Sequence, residues 1–412
     1  MNLNLLSLYE GNIDGDINNE SIPQALSDAW NPIDYLNGQI TQKDFQANSL
    51  APQKILLTGA KGFIGIHLLY ALTKTTHAVI CLIRCNSPEE GIKALKEKGR
   101  QAELLINWDL VSVVPGDLNL HKLGLSPVNE ESLRSNVDTI LHCGADTHHL
   151  HSYTRLRNTN VSSTRFLLDL CVAVKPKKFC YISSISVANC LSNQKIVPES
   201  ELLNEPDESN GYLLSKWASE KLISRYARYF NLDLSILRLG NITGHSKTGY
   251  GPYENNHFWS FTKGILQLGT FPKLKIKVEM LPVDITCDLI SAFLNTYQQG
   301  LMICNITNPV TLDTTDYFNI LTRQGYPTQE MAPYEWQKQL RHLSKNNYLT
   351  PIKEFYSGNL DAISPEVKQD NLNHLLRQLK MKININYDSI IDIYIRYQEK
   401  KGLMRLGPIT TE

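Results

Sequence analysis

From Lys54 to Leu239 the chain alternates short apolar runs with stretches whose apolar residues recur every three to four positions. The runs are KILLT (54–58), AVICLIR (78–84), VSVVPGD (111–117), VDTILHCGA (137–145), KKFCYISS (177–184) and LDLSILRL (232–239). Helical patterns lie between them: IHLLYALTK after the first run, a charged stretch from about Pro88 to Ile106, a segment over roughly 158–174, and GYLLSKWASEKLISRYARYF (211–230). The runs are apolar nearly throughout, not at every second position, which predicts strands buried on both faces. Their alternation with helices predicts an α/β fold, a doubly wound parallel sheet. After Gly240 the alternation stops. HSKTGYGPYENNHF leads into helices near 258–268 and 284–298, MICNIT (302–307) reads as a strand returning to the sheet, and the rest is mostly helical and polar. The expected organisation is a polar, Asn/Gln-rich leader (1–53) that packs late or loosely, a sheet domain (54–240) and a smaller, mostly helical C-terminal lobe (241–412).

Composition narrows the class. Apolar residues make up 42% of the chain and charged residues 20%, enough for a sizeable core and unlike a disordered chain. Forty-one basic residues balance 41 acidic ones, so no global field draws the chain to nucleic acid or to an anionic membrane. The eight cysteines form no CxxC pair and sit mostly in apolar runs, as expected of reduced, buried thiols. The N-terminus lacks the basic and apolar regions of a secretory signal, and GFIGIHLLYAL is too short to span a bilayer. A cytoplasmic location is the expectation, with neither a nucleic-acid nor a membrane partner.

The first apolar run ends in Gly59-x-x-Gly62-x-x-Gly65 and is followed by a helix. In that context the first glycine allows a tight turn, the second lets the backbone approach a pyrophosphate, and the third brings helix and strand together. The helix start favours the anion. This is the fingerprint of a Rossmann-like dinucleotide site. Where an NAD-binding unit carries an acid at the end of its second strand, this chain has Arg84, with Lys61 in the loop and Lys93 or Arg100 on the next helix. A guanidinium binds a 2′-phosphate that an acid would repel, so NADPH is the expected cofactor. Asp117 is placed to accept from the adenine amino group, or else to form a turn. Gly144 and Ala145 are small residues against which the cofactor can lie.

Tyr212 and Lys216 are four apart in a helical segment and share a face. An ammonium nearby favours the phenolate, so Tyr212 can exchange a proton near neutral pH. Ser183-Ser184 ends the fifth strand, at the edge where such sheets bind ligands. Ser184, Tyr212 and Lys216 together predict carbonyl chemistry of the short-chain dehydrogenase/reductase kind. Cys143, Asp146, His148, His149 and His151 match no compact ligand spacing, and no metal is expected there. Asp284 and Trp336 read as capping or buried residues.

With these residues in place the chain resembles an extended short-chain reductase, and more narrowly the thioester reductase domains that end nonribosomal peptide synthetases and carboxylic acid reductases. LLTGAKGFIGIHLL, CLIR, LHCGADTHHLHSYTRLRNTNVSST, YISSISV, GYLLSKWASEKLI, LRLGNITGHSKTGYG with FTKGILQLGTFP, MLPVDIT and the C-terminal NLNHLLRQLK carry the likeness, over roughly residues 50–405. It implies further cofactor contacts at Thr58, Phe63, Ile64, Leu118 and Asn160, and a ribose contact for Lys216. It also implies reduction of an acyl thioester to an aldehyde, and on to an alcohol with a second hydride, with Ser184 and Tyr212 on the oxygen. Ser184 stands where the family usually has Thr; Cys143 and His148 stand where it often has Asn. Two other readings stay open: another extended short-chain dehydrogenase or epimerase, and a non-catalytic NADP-binding regulator.

The substrate expected from the resemblance is an acyl group on the phosphopantetheine arm of a carrier protein acting in trans, or on CoA. Tyr250, Tyr253, Phe258 and Trp259 are candidates to wall an acyl channel, or else form the lobe's own core. Lys263, Lys273, Lys275 and Lys277 are candidates for a basic docking patch.

Overall fold

The computed structural model describes residues 21–30, 54–75, 77–191, 195–207, 210–254, 256–274, 276–296, 299–358, 360 and 364–404. Seven parallel strands form its centre: β1 (Lys54–Thr58), β2 (Ala78–Ile83), β3 (Val111–Pro115), β4 (Thr139–His142), β5 (Lys178–Ser184), β6 (Leu234–Leu239) and β7 (Leu301–Ile306). They lie in the order β7-β6-β5-β4-β1-β2-β3. The order reverses between β1 and β4, where Thr58 pairs with His142. Carboxyl ends of strands diverge there, and doubly wound sheets bind ligands in the resulting crevice.

Alternate strand residues feed two cores. Leu56, Ile140, Phe179, Tyr181 and Ile236 face α1 (Ser21–Trp30), α4 (Pro127–Asn136), α5 (Tyr153–Arg157), α6 (Ser163–Val172) and α7 (Gly211–Phe230). Ile55, Leu57, Cys81, Leu141, Ile182 and Leu237 face α2 (Phe63–Lys74), α3 (Pro88–Gln101), α9 (Val283–Leu294) and α12 (Asp370–Gln378). Burial on both faces explains the unbroken apolar runs. The chain leaves the sheet after β6 and re-enters it with α9, β7 and α12, so the sheet half draws residues from both sides of the expected boundary at 240.

The remaining lobe holds α8 (His257–Leu268), α10 (Thr314–Arg323), α11 (Pro333–Leu340) and α13 (Tyr387–Lys400) around a third, aromatic core. Short strand pairs stitch it: 242–243 with 281–282, 270–272 with 329–331, and 277–278 with 312–313. Residues 366–367 pair with 196–197 and tie the C-terminal part to the sheet half.

Part of the leader departs from expectation. Residues 21–30 form α1, docked on α7; the other leader residues lie outside those described. Asp28, almost wholly buried, accepts from Tyr153 Oη at 2.8 Å and from Arg157 Nε and Nη2, each at 2.6 Å. A bidentate guanidinium is what lets a carboxylate be buried at this contact. The segment expected as one helix over 158–174 is instead α5, a π-helical turn at Asn158–Ser162, and α6. Among the described residues no helix is long and apolar enough to cross a membrane.

Candidate active site

The glycine turn is built by close backbone contact. Gly59 has φ +75°, and Gly62 N–H donates to Gly59 O at 2.8 Å. A Cβ on Gly65 would stand 2.0 Å from Gly59 O, and one on Gly59 would stand 2.7 Å from Gly144 Cα. Only hydrogen fits at either place. No side chain caps α2, so the amides of Phe63 and Ile64 remain at the helix mouth, the arrangement that binds phosphate. The residues present therefore fit a dinucleotide.

Around that mouth the expected residues take distinct parts. Thr58 is fully buried; its Oγ1 accepts from Gly144 N–H at 3.0 Å and pairs with His142 Nδ1 at 2.7 Å, fixing the two strand ends together. Leu118 lies over Gly144 and leaves no space for a side chain there. Ala145 follows, half-buried. Asp117 Oδ1 accepts from Asn119 N–H at 2.9 Å, so this carboxylate does form a turn, with its other oxygen left over. Arg84 is exposed at the end of β2 and makes no hydrogen bond or ion pair with a described residue. Burial and Glu90 raise the thiol pKa of Cys85, next to Arg84 in the chain, and the Lys61 ammonium opposes them. Arg100 instead pairs with Glu97 on its own helix.

Asn160 sits in the π-helical turn with its amide fully engaged. Oδ1 accepts from Asp146 N–H at 2.8 Å; Nδ2 donates to Asp146 O and to Ser215 Oγ, each at 2.9 Å. It therefore braces the loop after β4 against α7 and acts on the site by positioning. π-Turns inside α-helices often mark functional sites for this reason.

Ser184, Tyr212 and Lys216 stand on β5 and α7. Ser184 Oγ accepts from Ser186 N–H at 3.2 Å and shares a hydrogen bond with Ser186 Oγ at 2.7 Å. Ser183 serves the core instead, donating at 2.6 Å to Glu220, which forms a buried ion pair with Arg238. Lys216 is buried; its Nζ donates to Ile182 O at 2.9 Å and lies 4.6 Å from the Tyr181 ring centre. Tyr212 is 7% exposed, and its hydroxyl has no hydrogen-bond partner among the described residues. Burial raises the Tyr212 pKa and the Lys216 charge only partly opposes it, so the phenol stays protonated. The expected lowering by Lys216 is thus outweighed by desolvation. A protonated phenol is the form a reduction requires as acid.

Two neighbours of the site had no distinctive spacing in the sequence. His149 meets the Tyr212 ring edge-on at 4.6 Å, and Ser186 shares its hydroxyl with Ser184. His142 carries the Thr58 contact onward to Thr164 at 3.0 Å; burial, helped by Lys216, holds its pKa down to about 3, so it is neutral. Asp146, His148 and His151, set aside on spacing, do converge: their ligand atoms lie within 4.8 Å of one another.

Two expectations for the lobe fail. Tyr253, Phe258 and Trp259 are at most 2% exposed and belong to the lobe's core, not to a channel wall. Tyr250 alone of the four reaches the sheet half, 6.2 Å from Phe63 and 5.9 Å from His67. The basic patch also dissolves: Lys263 is buried and donates to Tyr253 O, while Lys273 pairs with Glu330 and Lys277 with Asp313. Lys275 lies outside the described residues. Asp284 and Trp336 behave as expected. Asp284 accepts from Ser246 N–H and Oγ at 2.9 and 2.6 Å, and buried Trp336 donates to Thr270 O at 3.1 Å.

A profile of the NAD-binding family described as male sterility protein matches residues 57–290, more than half of the chain. The chain belongs to that family. The chain is 30% identical over 378 residues to L-2-aminoadipate reductase of Schizosaccharomyces pombe, covering 85% of itself and 26% of that protein. It spans between 7% and 28% of the length of the curated relatives compared. Its fold matches the terminal R domain of the myxalamid PKS-NRPS pathway with TM-score 0.80 and 25% identity, covering 93% of this chain and 99% of that one. A thiolation-reductase di-domain from an archaeal nonribosomal peptide synthetase matches with TM-score 0.75 and 22% identity, over 94% and 82%. With this family and fold, the chain is a nicotinamide-dependent oxidoreductase of the extended short-chain, reductase-domain type.

Proposed function

We propose that the chain reduces an acyl thioester to an aldehyde with NADPH. The observation that carries the reading is Lys216, beside Tyr212 on α7, donating to Ile182 O two residues before Ser184, with the glycine turn packed on Gly144 just past the end of β4. The likeness to a terminal reductase domain over nearly its whole length supports the thioester as substrate. The alternative, epimerisation or dehydrogenation on the same fold, rests on a weaker likeness, a UDP-glucuronic acid 4-epimerase matching with TM-score 0.57.

The cradle of Gly59, Gly62, Phe63 and Ile64 would hold the pyrophosphate, Arg84 with Lys61 the 2′-phosphate, and Gly144 and Ala145 the flat face of the dinucleotide. When bound, the cofactor supplies a hydride. Ser184 and Tyr212 hydrogen-bond the carbonyl oxygen as negative charge grows on it, and Tyr212 gives up its proton there. Lys216 would stabilise the phenolate left behind and hold a ribose hydroxyl of the cofactor. The resulting thiohemiacetal loses its thiol. In balance, thioester, NADPH and one proton give aldehyde, NADP⁺ and free thiol. The thiol is carried by phosphopantetheine on a carrier protein, acting in trans, or by CoA; the thiolation-reductase pairing in one solved neighbour favours the carrier. A second hydride would give the alcohol.

The test is NADPH oxidation by the full chain against acyl-CoA and acyl-phosphopantetheine thioesters, with products identified by mass spectrometry. Aldehyde and stoichiometric thiol are expected. Oxidation with none of the thioesters, together with turnover of a keto or sugar-nucleotide substrate, would overturn the reading.

A further inference from the structure

The loop after β4 reads Asp146-Thr-His-His-Leu-His151 and forms the lip beside Tyr212. Asp146 Oδ1 accepts from His148 N–H at 3.0 Å and meets His148 Nδ1 at 2.7 Å. Its other oxygen faces His151 Nδ1 at 3.5 Å. The two imidazoles stack with centres 4.6 Å apart and planes 20° apart, so both Nδ1 atoms address one carboxylate. His151 Nδ1 is buried from solvent and has no hydrogen-bond partner. Asp146 itself is held from behind, since Asn160 clamps both its N–H and its C=O.

Two aromatic nitrogens and a carboxylate are a ligand set for a borderline divalent cation, and unlike the all-oxygen shells of Mg²⁺ and Ca²⁺. Bonds of ~2.05 Å in a tetrahedron put neighbouring ligand atoms about 3.3 Å apart. The contacts of 2.7 Å to one carboxylate oxygen and 3.5 Å to the other lie either side of that edge, and all the ligand atoms lie within 4.8 Å of one another. Three protein ligands, with His148 largely exposed, leave a fourth position for water, as in an open zinc site. We propose that Asp146, His148 and His151 bind one Zn²⁺-class cation at the lip of the active site. The ion takes the Nδ1 lone pairs of the two neutral imidazoles, whose ring protons then sit on Nε2, and protons compete with it for both rings, so affinity falls as pH drops. By joining residues 146, 148 and 151 it also holds the intervening His149 against Tyr212. The inference does not depend on the substrate.

The experiment titrates metal-free full-length protein with Zn²⁺ by calorimetry and with Co²⁺ by visible absorption. One ion per chain and d–d bands of a low-coordinate Co²⁺ site are expected. His148→Ala and His151→Ala should each weaken binding at least tenfold, and the double variant should lose the bands. His148 is exposed, so its variant should unfold at the wild-type temperature without metal, separating lost ligation from lost structure. His149→Ala should keep the stoichiometry of one. A wild type without Co²⁺ bands, or a double variant that keeps them, would overturn the proposal.

Discussion

The sheet half and the C-terminal lobe use polar and aromatic residues in opposite ways. At the sheet's carboxyl edge, bonding capacity is left over: the Tyr212 hydroxyl, the Arg84 guanidinium and the amides at the mouth of α2 have no partners among the described residues. In the lobe most of it is consumed, although the buried Tyr356 Oη and Gln398 Oε1 have no partner among the described residues. Lys263 donates to Tyr253 O, Trp336 to Thr270 O and Tyr394 to Gly244 O. Rings interlock there, with Phe271 on Phe318 at 4.7 Å, Phe261 on Tyr356 at 4.9 Å and Tyr253 on Trp259 at 5.0 Å. Spare capacity marks where ligands complete the structure, and exhausted capacity marks where the structure completes itself. Substitutions in the two regions should therefore fail in different ways.

The largest separation is expected at Tyr212. Tyr212→Phe removes one hydroxyl that bonds no described residue. Turnover should fall by roughly 10²–10⁴-fold, while the unfolding temperature and NADPH affinity stay near wild type in calorimetry and titration. Loss of fold together with activity would erase the contrast. Trp336→Ala should do the reverse: stability should fall by ~3–5 kcal/mol in a denaturant titration, and the fraction still folded should keep its KM for NADPH. Smaller again is Arg84→Ala. Losing a charge-assisted contact should cost roughly 1.5–3 kcal/mol, about ten- to hundredfold in NADPH affinity, with NADH affinity little changed. Equal NADPH affinity in the two proteins would remove Arg84 from the site.

A pH dependence, by contrast, is shared by both regions. Burial, as the first cause, holds His142 down to about 3 and His67 and His257 to about 4, from an ordinary value of 6.5. Each is neutral in the folded chain and protonates on unfolding, so the unfolded state binds more protons below about 6.5. Stability is full above that pH and declines as pH falls toward 4, by up to about 1.4 kcal/mol per pH unit for each histidine. His67→Gln should flatten the slope by about one proton in unfolding curves taken across that window; an unchanged slope would count against a neutral His67.

Legibility in the sequence follows the same divide. Strands buried on both faces are continuous apolar runs, and the 211–230 helix begins and ends where its pattern does. The glycine turn, and the strand and helix that carry Ser184, Tyr212 and Lys216, are readable because their patterns are set by local backbone geometry. Contacts set by distant partners were not. The α1 helix is held through Asp28 by Arg157, and nothing near Asp28 in the chain announces that bond. Lobe strands of two or three residues are too short to show a period. Tyr253, Phe258 and Trp259 suit a pocket wall as well as a core, and the four lysines could be counted without seeing Glu330 or Asp313 opposite two of them. Asp146 and His151 meet only through a loop conformation braced by Asn160.

The most direct test of the central claim follows the hydrogen itself. Single turnover of an acyl-carrier thioester with NADPH deuterated at both C4 positions should give an aldehyde with one deuterium on its carbonyl carbon and one equivalent of free carrier thiol. Under the same conditions Tyr212→Phe should give almost none. Unlabelled aldehyde, or carboxylic acid released with the cofactor unconsumed, would contradict reduction at the Ser184–Tyr212–Lys216 site.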